Sequence, residues 1–171
     1  YVYRPCDANE VVAGWKFALQ ATKHPTCLIL SRQALPLLEG SSSPDLSKGG
    51  YVISKEKGAK PDFTLIATGS EVSLAIAAQE KLAQENIDVR VVSLPCIELF
   101  LEQGEKYVEE VLATPYEKRL SIEMLSTFGW HRFSKNVMGI DTYGKSAPAS
   151  KVIEDFGFNV DAVVQKVKNC L

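Results

Sequence analysis

The sequence predicts an α/β protein built on a mainly parallel open sheet with helices on both faces, preceded by a helix and a strand on the far side of a linker. Three observations carry this. Apolar runs of strand length, at 63–67 and 89–94, alternate with segments whose apolar residues recur at helical spacing. Strands separated by helical patterns make βαβ units and a parallel sheet. The run Thr26-Cys27-Leu28-Ile29-Leu30-Ser31 is apolar without alternation, as in a strand buried on both faces. The cluster Gly40-Ser41-Ser42-Ser43-Pro44-Asp45 then reads as a linker. It places a domain boundary near 40–48.

The elements follow in order. Asp7 with Glu10 three residues later forms a capping-box pattern, with aspartate in the hydroxyl position. Val11, Trp15, Ala18, Leu19 and Thr22 predict a helix over 8–22 packed on that face. Pro25 stops it, and the strand 26–31 follows. Beyond the linker, strands are expected at 50–54, 63–67, 89–94, 119–123 and 137–140. Helices are expected at 71–84, 107–112, 150–156 and 161–168, the first with Leu74, Ala75, Ala78 and Leu82 on one face.

Composition removes several classes of function. Lys and Arg number 19 against 21 Asp and Glu, so no field draws nucleic acid. No apolar stretch reaches membrane-span length, and Tyr1-Val2-Tyr3-Arg4-Pro5 is not the start of a signal peptide. The chain opens without methionine, which predicts that residue 1 lies inside a longer protein. Four cysteines (Cys6, Cys27, Cys96, Cys170) lack any Cys-x-x-Cys spacing, so neither a zinc site nor a redox motif is expected. A reducing cytoplasm is the expected location, with Cys27 as a small core residue. His24 is expected in a loop and His131 in ordinary packing.

Candidate sites are few. Arg32 stands just past the strand 26–31, and open α/β sheets bind ligands beyond the carboxyl ends of their strands. Its planar cation suits a phosphate or carboxylate, and pairing with a neighbouring carboxylate is the alternative. Thr68-Gly69-Ser70-Glu71 lies at a strand-to-helix turn, where Ser70 either caps the helix or helps receive an anion. Gly139-Ile140-Asp141-Thr142-Tyr143-Gly144-Lys145-Ser146 satisfies the phosphate-loop pattern G-x-x-x-x-G-K-S. Pro148 nevertheless delays the helix that such a loop needs, and Asp141 and Tyr143 oppose an amide cradle.

Taken in sequence, Arg4-Pro5-Cys6-Asp7, Leu30-Ser31-Arg32-Gln33, Gly49-Gly50-Tyr51-Val52, Ile66-Ala67-Thr68-Gly69-Ser70-Glu71-Val72, Arg90-Val91-Val92-Ser93-Leu94-Pro95, Gly139–Pro148 and Phe156-Gly157 resemble the carboxyl-terminal part of transketolase over essentially the whole chain. The resemblance turns the apparent phosphate loop into that family's G-x-D-x-(aromatic)-G-x-S-A-P segment. It implies transfer of a two-carbon ketol unit between sugar phosphates in the pentose phosphate pathway, with thiamine diphosphate and Mg2+ or Ca2+ in a cytoplasmic homodimer. Residues 1–45 then end the pyrimidine-binding domain, and residues 46–171 form the carboxyl-terminal domain. Arg32 corresponds to the arginine that grips the substrate phosphate. The Gly-Asp-Gly metal motif and the upstream catalytic groups do not occur here. The chain alone is therefore expected to be inactive and to hold no cofactor, no metal and no catalytic residue; its partners are the rest of the enzyme and a second subunit. Alternatives are the matching region of a deoxyxylulose-phosphate synthase or of a 2-oxo-acid dehydrogenase β-subunit. A further one is a non-catalytic dimerisation or effector-binding module, with Ser70 and Ser146 at an anion site.

Overall fold

Two short parallel strands, β1 (Val2–Tyr3) and β2 (Cys27–Leu28), are joined through helix α1 (Ala8–Gln20). The computed structural model describes all 171 residues, Tyr1–Leu171. Asp7 caps α1 as expected, accepting the Glu10 N–H at 3.1 Å. The reciprocal half of the capping box is displaced by one residue, since Glu10 accepts the N–H of Cys6 at 2.7 Å.

The packed face of α1 is not the expected one. Trp15 and Leu19 are 54% and 76% exposed, whereas Glu10 and Gly14 are buried. A Cβ on Gly14 would stand 3.0 Å from the side chains of both Leu28 and Tyr3. Glycine alone lets the helix lie this close to the β1–β2 ribbon, and that approach turns the Trp15 stripe outward. The expected strand 26–31 is likewise shorter and less buried. Cys27 is exposed, and Ile29 and Leu30 are 44% and 52% exposed. A strand of this composition is covered only when neighbours flank it on both sides, and β2 has β1 alone.

The expected linker is ordered. Glu39–Ser42 and Pro44–Lys48 form two 3-10 turns, and the Ser43 hydroxyl accepts the Asp45 N–H. Ser41 is fully buried, and its Oγ accepts from Asn9 Nδ2 at 2.9 Å. These turns pack against α1 instead of acting as a loose spacer.

The second sheet is the larger. Its strands are β3 (Tyr51–Ser54), β4 (Phe63–Ala67), β5 (Val89–Ser93), β6 (Arg119–Ile122) and β7 (Asn136–Met138), in the order β3-β5-β4-β6-β7. Only β3 runs antiparallel to its neighbour. The helices are α2 (Glu71–Gln84), α3 (Ile97–Glu102), α4 (Glu105–Leu112), α5 (Ala149–Asp155) and α6 (Val160–Lys168). Strand alternation sends side chains to two separate cores. Leu65, Val91 and Ile122 meet Val72, Ala75 and Leu82 of α2 and Val163 and Val167 of α6. Ile66 and Val92 meet Phe100 of α3, Val111 and Leu112 of α4, and Trp130 and Phe133. Helix α3 has no counterpart in the sequence pattern, because six residues are too few to display a helical period. No helix is long and apolar enough to cross a membrane.

Candidate functional site

Arg32 lies four residues past Leu28, beyond the carboxyl end of β2, and is exposed together with Ser31 and Gln33. It takes part in none of the eight ion pairs of the chain, so the alternative of pairing with a neighbouring carboxylate is not what the structure holds. The guanidinium keeps all its donors available for an oxyanion.

The crevice of the larger sheet is filled from within. Chain order leaves β4 towards β5 on one side and reaches β6 on the other, so the switch point lies past the carboxyl ends of β4 and β6. Arg4 occupies it. Its guanidinium pairs with Glu123, lies 3.8 Å from Glu71, and is largely covered. Its backbone is fixed as well: N–H donates to the Pro95 carbonyl at 2.8 Å, and C=O accepts from Gly69 N and Thr68 Oγ1 at 3.2 Å. Glu71 also accepts the Met124 N–H at 2.9 Å, and Trp130 Nε1 donates to Glu123. Burial pushes the Glu71 carboxyl above its ordinary value, against the opposing pull of Ser70, Met124 and Arg4, and the same burial lowers the Arg4 value.

Ser70 does not cap α2 as one sequence reading had it. Its own dihedrals are already helical, and its hydroxyl donates to Glu71. That hydroxyl is therefore committed to a carboxylate within the chain. Ser146 lies in the exposed segment between β7 and α5 and is bound to neither Ser70 nor Arg32. The apparent phosphate loop is excluded by its form: α5 begins only at Ala149, and Lys145 pairs with Asp155. Asp141 is tied to Ser126 and Thr127, whose donors hold its carboxyl below the ordinary aspartate value. His24 is in a loop beside Tyr1, as expected, while His131 is exposed instead of packed.

Another buried carboxylate, Glu10, plays a part that its capping-box spacing did not show. Glu10 has no exposed surface, and it accepts from Cys6 N at 2.7 Å, Tyr51 Oη at 2.8 Å and Ser93 Oγ at 2.6 Å. It thus ties α1 to β3 and β5. Burial pushes its carboxyl above the ordinary value while the three donors pull the other way. A glutamate in the first turn of a helix reads as a dipole partner, and nothing in sequence spacing tells a solvated one from a bridging one. The remaining signal was the run Arg4-Pro5-Cys6-Asp7, which the resemblance had already drawn out.

Residues 49–159 match the family described as transketolase-like TK C-terminal domain. The chain is 50% identical to the transketolase of Bacillus subtilis over 96% of its own length and 26% of that protein's. Among solved structures, a Pichia stipitis transketolase in complex with sedoheptulose-7-phosphate is 40% identical, with a TM-score of 0.91 over 99% of this chain and 25% of that one. The transketolase of Leishmania mexicana is 37% identical, with a TM-score of 0.92 and the same coverage. The chain therefore spans about a quarter of the length of the relatives it matches.

Proposed function

The chain belongs to the transketolase family, and from that premise we propose that it serves as the carboxyl-terminal part of an enzyme moving a two-carbon ketol unit between sugar phosphates. In this reading residues 1–45 complete the pyrimidine-binding domain and residues 46–171 form the carboxyl-terminal domain, within which the family match at 49–159 falls. The carbanion chemistry of such a transfer is supplied by thiamine diphosphate with Mg2+ or Ca2+. Both are assigned to other parts of a cytoplasmic homodimer, and the chain alone is inactive. Apolar residues left in the open support such partners: Val2, Ile29 and Leu125 line one cavity of about 530 Å3, and Phe128 is 92% exposed.

The role of this chain is to grip the substrate phosphate through Arg32. The observation that carries the assignment is an arginine beyond a strand end, in Leu30-Ser31-Arg32-Gln33, with no partner of its own. Charge-assisted bonds of this kind contribute roughly 1.5–3 kcal/mol, or about ten- to a hundredfold in binding. In the complete enzyme, Arg32→Ala is expected to raise KM for phosphorylated sugars by that factor. Turnover at saturation should change little, because phosphate binding remote from the reacting carbon is largely uniform. Unphosphorylated substrates should be unaffected. Equal loss with both substrate classes in a folded protein would make Arg32 structural.

A further inference from the structure

The segment carrying Arg32 is held in an unusual way. None of residues 30–37 makes a hydrogen bond within the chain. The segment is pinned only at its ends, where Ile29 N–H donates to the Tyr3 carbonyl and Leu38 N–H donates to Asp7 Oδ2, both at 2.9 Å. Between the pins it does not close on α1, leaving a cavity of about 280 Å3 lined by Pro5, Ala8, Val11, Leu30 and Leu35, among others. Both pins belong to the stretch Tyr3–Asp7. That stretch is locked to the larger sheet through Arg4 and, by way of the Cys6 N–H, through Glu10.

Resting on the reading of Arg32 as the phosphate-binding group, we infer that Asp7 is a positioning residue for that arginine. Its carboxylate serves two elements at once. Oδ1 caps α1, while Oδ2, in a setting that leaves Asp7 only 3% exposed, fixes the far end of the Arg32 segment. A helix cap needs one oxygen, which serine or asparagine also offers. The second oxygen is the part that cap chemistry does not require.

The test separates the two oxygens in the complete enzyme. Asp7→Ser keeps a cap and gives up the reach to Leu38, and Leu38→Pro removes the same bond from its donor side. Either variant is expected to raise KM for a phosphorylated ketose about three- to tenfold, the scale of one lost hydrogen bond. Turnover at saturation and KM for an unphosphorylated substrate should stay unchanged. In Asp7→Ser the Leu38 amide should exchange with solvent faster while those of α1 do not. In an Arg32→Ala background the Asp7→Ser effect on KM should vanish, because the two act through one contact. If Arg32→Ala is phosphate-selective and neither Asp7→Ser nor Leu38→Pro is, Asp7 is a helix cap only and the inference is wrong. If Arg32→Ala itself lacks that selectivity, the reading beneath it has failed, and the inference falls with it.

Discussion

At the scale of single residues, Glu10 is a carboxylate held without solvent, with three donors from Cys6, Tyr51 and Ser93 converging on it. Its folded value lies above the ordinary one because burial outweighs those donors. The folded chain therefore keeps this proton at pH values where the unfolded chain has lost it. The associated stability is full below the ordinary carboxylate value and is lost as pH rises through the raised one. Glu71 has the same sign. Glu10→Gln removes one of these titrations, so the melting temperature of the variant relative to the native chain should climb as pH rises from the ordinary carboxylate range towards neutrality. Parallel melting curves across that range would assign the dependence to other groups. Glu10→Ala should be the more damaging change, because each buried donor left without an acceptor costs about 1–3 kcal/mol.

At the scale of elements, the approach of α1 to the β1–β2 ribbon rests on a missing side chain. Gly14→Val places branched carbon where a Cβ alone already meets Leu28 and Tyr3 at 3.0 Å. Overpacking of this kind costs about 1–3 kcal/mol. The melting temperature should fall by about 2–4 °C for each kilocalorie, and an unchanged value would mean that the ribbon yields freely. The same helix shows where sequence was legible and where it stopped being so. Strand 63–67 and helix 71–84 stand at their expected positions, since burial on both faces and an amphipathic period are written in adjacent residues. Helix 8–22 was found, but its packed side was misread. Its buried side carries Glu10 and Gly14, not an apolar stripe, and that choice depends on partners distant in sequence. Strand 26–31 was read as core because its composition suits a covered strand, and composition does not report whether covering elements are there. The place of Arg32 past a strand end follows from the order of residues alone. Arg4, Glu10 and Asp7 hold their roles through contacts with residues 31 to 119 positions away, beyond any local pattern.

At the scale of the whole molecule, the opening segment is tied to the larger sheet through Arg4 and Glu10, on either side of the division expected near residue 45. Tyr3, Cys6, Asp7 and Glu10 are all buried, while Trp15, Leu19 and Leu30 are more than half exposed. Local stability follows burial. The buried, hydrogen-bonded amides of Cys6 and Glu10 should therefore exchange almost as slowly as those of β4, and those beyond β2 far faster. Uniformly fast exchange from residue 1 to residue 45 would show two independent units. The socket beyond β4 and β6 has a further consequence. There the chain supplies its own guest: a guanidinium seated between the carboxylates of Glu71 and Glu123. Removing one member of a covered ion pair costs about 3–5 kcal/mol. Arg4→Ala should thus be strongly destabilised, yet it leaves a vacated, acid-walled seat of the right shape for a free cation. Methylguanidinium at millimolar concentration should restore part of the lost melting temperature in that variant, and methylurea, its uncharged counterpart, should not. The native chain should gain from neither, because its seat is already taken by a tethered occupant.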